Sequence, residues 1–311
     1  MIPLRAHPAA AWIHWNDGVT LFSSVTRTPF GPILVSSDEA FVANLTGDGL
    51  PDLDHRDDIR GQIEVQRNTE GRQFEDGPVI PLREKTGHVQ AADVDRDGDV
   101  DLITLSSNTS AGDAGGITVI RQGSAGAFAT AQLLEVQVAE ASALSVADLD
   151  ADGFPDVVAG YRPLAGTDGR VAIFRSRGEG TAMLAEPEVH SLSVKPTAVL
   201  VVDWNVDGLA DLLASFGRPG KLAIILGKGQ RQLAEVEVAA LDESFTSFEV
   251  PLVDAADVDG DRDPDLLGLS ADVSVLIRNE GGLPGRPEVI RLVGPFANLL
   301  LADVIGDGAR E

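Results

Sequence analysis

A nine-residue acidic segment recurs six times along this chain, and any fold proposed for it has to accommodate that period. NLTGDGLPD occupies 44–52, DVDRDGDVD 93–101, DLDADGFPD 148–156, DWNVDGLAD 203–211, DVDGDRDPD 257–265 and DVIGDGARE 303–311. Successive copies begin 49, 55, 55, 54 and 46 residues apart. A near-constant period of this length marks a chain of stacked supersecondary units, none of which buries its apolar face alone.

The surroundings of the acidic segments repeat as well. A short apolar stretch precedes each, such as VQAA at 89–92, LSVA at 144–147 or VLVV at 199–202. Another follows it, such as LITL at 102–105 or LLAS at 212–215. Then come β-patterned runs after a glycine-containing loop (GQIEVQRN, GITVIRQG, GRVAIFRS, KLAIILGK, VSVLIRNE), and a fourth, more polar run such as FATAQLLEV at 128–136. All are short, rich in Val, Ile and Leu, and bounded by Gly, Pro, Asn and Asp. No stretch carries a sustained 3.6-residue apolar period with caps, so helix is expected to be rare or absent.

Four short strands per unit of about 50 residues predict an all-β β-propeller of four-stranded blades, with the acidic loop between strands A and B. Residues 11–18, AWIHWNDG, match the third-strand runs, and the last copy ends the chain at Glu311. The expectation is a single domain over 1–311 with five complete blades plus a composite or truncated one, a fragment of a longer reading frame.

Within the loops, position 1 is Asn44, Asp93, Asp148, Asp203, Asp257 and Asp303. Position 3 is Thr46, Asp95, Asp150, Asn205, Asp259 and Ile305. Position 5 is always aspartate (Asp48, Asp97, Asp152, Asp207, Asp261, Asp307), and position 9 is Asp52, Asp101, Asp156, Asp211, Asp265 and Glu311. Carboxylates packed this densely repel unless a cation sits among them. Oxygen-only donors select a hard ion, and a flexible loop offering many of them suits Ca²⁺ better than Mg²⁺. About four to six calcium ions are expected, with the copies at 44–52 and 303–311 degenerate.

Glycine at position 6 suits a left-handed backbone, and the copy at 257–265 has Arg262 there, at a cost of about 1 kcal/mol. Position 2 is apolar throughout and is expected to pack inward. An EF-hand is excluded, because position 12 counted from Asp93 is Thr104 and from Asp148 is Ala159, both in strand-like runs. The alternative for any single copy is a plain Asp/Gly turn between strands.

The D-x-D-x-D-G-x-x-D loop between two strands, repeated at this period, resembles the FG-GAP/VCBS repeats. Those build calcium-bearing β-propellers of integrin α heads, some fungal lectins and many bacterial surface proteins. The weak Phe-Gly and Gly-Ala-Pro flanks, of which VVAGYRP at 157–163 is a partial echo, place the resemblance with the bacterial VCBS-like branch.

The formal charge of −25 argues against nucleic acid, and no apolar run reaches the roughly 18 residues that span a bilayer. Cysteine is absent, which removes thiol nucleophiles, disulfides and zinc–thiolate sites. The five histidines are scattered, and no HExxH, GxSxG or GxxxxGK[ST] occurs. No signal peptide is visible in the sequence given, but weak calcium sites fit an extracellular, cell-surface or periplasmic setting.

The expected function is a non-catalytic interaction or adhesion module that meets a protein or glycan at the face opposite the calcium loops, where Tyr161 and Arg162 are the candidate contacts. A propeller-type polysaccharide lyase or hydrolase, and a structural spacer in a long surface protein, are the alternatives. Trp12, Trp15 and Trp204 are assigned to packing.

Overall fold

A computed structural model describes residues 10–15, 24–29, 40–57, 60–69, 73–83, 85–108, 115–123, 126–178, 184–217, 220–229, 232–241, 252–270 and 273–290. Among them there is no α-helix. Strands β1 (Ala10–Trp15) and β2 (Ser24–Pro29) form a two-stranded antiparallel sheet.

Five four-stranded antiparallel sheets follow in chain order. The first contains β3 (Ala40–Ala43), β4 (Asp52–Asp57), β5 (Gln62–Asn68) and β6 (Phe74–Pro81). The second contains β7 (Thr86–Ala92), β8 (Asp101–Ser106), β9 (Gly116–Gly123) and β10 (Ala127–Glu135). The third contains β11 (Val138–Ala147), β12 (Asp156–Pro163), β13 (Gly169–Phe174) and β14 (Glu188–Leu192). The fourth contains β15 (Pro196–Val202), β16 (Asp211–Phe216), β17 (Lys221–Ile225) and β18 (Glu237–Ala240). The fifth contains β19 (Leu252–Ala256), β20 (Asp265–Ser270), β21 (Val273–Ile277) and β22 (Glu288–Ile290).

Every strand pairs with its neighbour in sequence, so each sheet is a meander with the acidic loop joining its first two strands. Burial follows from that position. The second strands β8, β12 and β16 are buried on both faces over most of their length, whereas β10 and β18 are largely exposed. The sequence matches this: mostly apolar residues in β8, β12 and β16 and more polar ones in β10 and β18.

The core lies between consecutive sheets, and alternation along the second strand divides it. Leu102 packs with Leu45, Ile63 and Val65 of the first sheet, while Ile103 packs with Val157 and Phe174 of the third. Leu212 joins Val158 and Val171 of the third sheet, and Leu213 joins Leu266 and Val275 of the fifth. Neighbouring residues of one strand therefore face opposite neighbours. The first strands β7, β11, β15 and β19 share the lining of one cavity of about 310 Å³.

Candidate metal centres

Each of the five described acidic loops folds back on its own side chains. In the second sheet, Asp93 accepts the amides of Asp97 (3.2 Å) and Gly98 (3.0 Å), and Asp97 accepts that of Asp99 (3.0 Å). The third sheet repeats this with Asp152 and Gly153 donating to Asp148 at 3.2 and 2.8 Å. In the fourth, Asp207 and Gly208 donate to Asp203 at 3.0 and 2.9 Å. The first loop keeps the Asp48-to-Asn44 bond at 3.2 Å.

Two residues in each described loop are left-handed. Position 6 has φ of 86° at Gly49, 94° at Gly98, 89° at Gly153 and 87° at Gly208. Arg262 adopts 81° at the same place, as the sequence predicts. Position 4 is left-handed too, and there three loops carry a side chain: Arg96 (60°), Ala151 (58°) and Val206 (56°).

The inward packing of position 2 holds for Leu45, Val94, Leu149 and Trp204, all buried; Val258 is half-buried. Trp204 is fully buried, and its Nε1 donates to the carbonyl of Gly282 at 2.7 Å. Neighbouring sheets are clamped at this level. Gln122 donates to the Leu45 carbonyl (2.9 Å) and Asn279 to the Trp204 carbonyl (2.7 Å).

The acid at position 9 is a structural staple first. Asp52, Asp101, Asp156, Asp211 and Asp265 are completely buried. One oxygen accepts the amide that follows the third strand's last arginine or its equivalent: Asn68 (3.0 Å), Gln122 (2.9 Å), Ser176 (2.8 Å), Gly227 (2.7 Å) and Asn279 (2.9 Å). In four loops the other oxygen takes an amide from position 2 or 3: Thr46, Val94, Trp204 and Val258. Burial pushes Asp101 up to about 6 and raises Asp156 and Asp211, even against those amides. Asp95 is raised by burial and by the charge of Asp97.

Three carboxylates bring oxygens within 4.8 Å of one another in three loops: Asp93, Asp95 and Asp101; Asp148, Asp150 and Asp152; Asp257, Asp259 and Asp265. This donor set is all oxygen and fits a hard divalent cation such as calcium. In the fourth loop Asp203, Asn205, Asp207 and Asp211 share one turn, and in the first Asn44, Asp48 and Asp52 do. Asp303 and Asp307 lie outside the described residues.

The sequence reading overlooked the arginines. Arg67, Arg121, Arg175 and Arg278 follow or end the third strand at one repeat position, and each reaches its own sheet's acidic loop. The signal was visible in QRN, IRQ, FRS and IRN, but it lies some 20 residues from the acids it meets.

At the opposite end of the sheets, the assignment of Tyr161 to a ligand surface is corrected. Its side chain is 4% exposed and packs in the core with Val138 and Phe174, so it offers no ring face for stacking. Arg162 is partly exposed and pairs with Glu140 at 3.3 Å. At this end a cavity of about 320 Å³ opens between the β4–β5 turn and the β6–β7 connection, lined by Arg56, Asp57, Arg83, Lys85 and Thr86.

The family model of the FG-GAP-like repeat matches residues 148–214 and 203–268, which covers the third and fourth acidic loops and runs through the fifth. No curated protein matches the chain. Among solved structures, a crystal structure of BBS1N in complex with ARL6DN, soaked with lead, is 15% identical, with a TM-score of 0.48, over 93% of this chain and 89% of that one. A structure of the Photorhabdus luminescens Tc holotoxin pore, carrying the TccC3-D651A mutation, is 18% identical, with a TM-score of 0.41, over 87% of this chain and 13% of that one. Neither likeness carries an argument about function.

Proposed function

Since residues 148–268 make this chain a member of the FG-GAP-like repeat family, we propose that it is a calcium-binding, non-catalytic β-propeller serving as a secreted or cell-surface interaction module. The carrying observation is the recurrence of one acidic loop at the same end of five consecutive sheets, with carboxylate oxygens within 4.8 Å of one another in three of them. In this reading the sheets are blades around the cavity that β7, β11, β15 and β19 line, and β1–β2 would supply the outer pair of a further blade.

Calcium would be held by the acids at positions 1, 3, 5 and 9, with Asn205 substituting at position 3 of the fourth loop. Its chemistry is to neutralise clustered carboxylates and fix the hairpin between the first two strands. The other end of the blades would then be displayed rigidly to a protein or glycan. The cavity lined by Arg56, Asp57, Arg83 and Lys85 brings three cations and one carboxylate to that end, which supports a polar group of net negative charge as the contact.

The test is a thermal melt in calcium and in EDTA. Chelation should lower the melting temperature by many degrees, because an ion that binds only the folded state adds stability by mass action. Coincident melts would overturn the calcium reading. The module reading expects saturable binding to a panel of acidic glycans with no cleavage products; product formation would make the chain an enzyme instead.

A further inference from the structure

In the second loop, the eight carboxylate oxygens of Asp93, Asp95, Asp97 and Asp101 are all engaged. Six accept backbone amides. The other two, Asp95 Oδ2 and Asp97 Oδ2, face one group: Nη2 of Arg121, at 2.5 and 2.7 Å. These are the two oxygens of the loop that accept no backbone amide, so a cation entering the loop meets the guanidinium at them. Arg121 comes from the end of β9, outside the loop in sequence.

The same position repeats the contact elsewhere. Arg175 Nη1 lies 2.9 Å from Asp156 and 3.8 Å from Asp150. Arg278 Nη1 lies 2.5 Å from Asp259. In the first loop, which has only two acids among its four donor positions, Arg67 stands off at 3.9 Å from Asp48.

The fourth sheet is the exception that completes the pattern. Its residue at this position is Leu226, which packs against the core. Its loop has Asn205 where three others have aspartate, and Asn205 Nδ2 donates to Asp207 Oδ2 at 3.0 Å, the oxygen that Arg121 takes in the second loop. The loops with four acids each have a close guanidinium, and the loop without the guanidinium has one carboxylate fewer.

We propose that the arginine at the end of the third strand is the resident counter-cation of the acidic loop, and that a divalent ion binds by displacing it. The affinity of the second, third and fifth loops is then set by a residue distant in sequence, Arg121, Arg175 or Arg278, as well as by their own acids. This rests on the loops being calcium sites. A guanidinium beside a doubly charged ion repels it and occupies its donors, so removing that group strengthens ion binding while weakening the calcium-free protein.

The test uses the full chain with Arg121→Gln and, in the reverse sense, Leu226→Arg. Calcium titrations are followed by calorimetry, and melts are run without calcium. Arg121→Gln should tighten one calcium site by about tenfold, lower the calcium-free melting temperature and enlarge the rise that calcium produces. Leu226→Arg should weaken one site by a similar factor, and it keeps the question decidable if Arg121→Gln does not fold. Calcium binding that is unchanged or weaker in Arg121→Gln, or unchanged in Leu226→Arg, would overturn the arginine's role while leaving the calcium sites standing. Absence of calcium binding in the unmodified chain would overturn the metal reading and this inference with it.

Discussion

In the first four-stranded sheet, the buried Asp52 accepts the amides of Thr46 and Asn68; in the fourth, Asp211 accepts those of Trp204, Asn205 and Gly227. Two residues further along the same strands the sheets part. The fourth places Leu213 in an apolar core with Trp204, while the first buries Asp54, followed by the buried His55 and Arg56. At that level the other sheets have Ile103, Val158 and Leu267, all buried. The position-9 staple is therefore the constant element of the repeat, and the filling between sheets is the variable one.

The largest expected effect tests the constant element. Asp211→Ala leaves three backbone amides without their acceptor in a buried setting, at about 1–3 kcal/mol each before water reaches any of them. Asp207, on the exposed side of the same loop, serves one backbone amide, Leu209 at 2.9 Å. Urea unfolding in EDTA should show Asp211→Ala costing at least about 3 kcal/mol and Asp207→Ala about 1. Equal costs would show that the two acids differ only as metal ligands.

The next effect concerns the variable element. Burial, reinforced by the charge of Asp52, pushes the Asp54 carboxyl up to about 8. The folded chain then holds a proton that the unfolded chain releases above about 4. Asp54 accordingly favours the folded state least at high pH: its contribution falls as pH rises from about 4 to about 8 and is level beyond that. Asp54→Leu, which restores the residue type of Leu213 and Leu267, should gain on the order of 2 kcal/mol at pH 8 and less at pH 5. Calcium-free unfolding at the two pH values measures the difference between variant and parent. A gain that does not depend on pH would mean that Asp54 is ionised in the folded chain.

Much of this architecture is legible in the residues. The acidic period announces the repeat, and runs such as LITL and IEV lie where β8 and β5 lie. The inward turn of position 2 is legible too, because an invariant apolar residue between acids has few other uses. What the sequence conceals is partnership across distance. Residue type does not distinguish Asp211, spent on amides, from Asp207, since both are aspartates of one acidic segment. Tyr161 follows glycine in a loop-like run, yet its strand continues through Pro163 and carries it into the core. Arg121 is invisible as a partner of Asp95 until the third strand is laid beside the second.

The smallest expected effect returns to the two loops that opened the comparison. At position 4 both are left-handed, but the first has Gly47 (φ 71°) and the fourth has Val206 (φ 56°). A β-branched side chain is strained there, because its Cβ crowds the following carbonyl. Val206 is 55% exposed, so little packing offsets that strain. Val206→Gly removes about 1–2 kcal/mol of backbone strain, and the freer unfolded chain takes back about 0.5–1. The net expectation is a gain of about 0.5–1 kcal/mol, seen as a melting temperature raised by a few degrees at most in calcium-free buffer. Gly47→Val, the reciprocal change, should lower it. If Val206→Gly instead loses stability, the isopropyl group contributes contacts that its exposure conceals, and the fourth loop is held by its side chains where the first is held by its backbone.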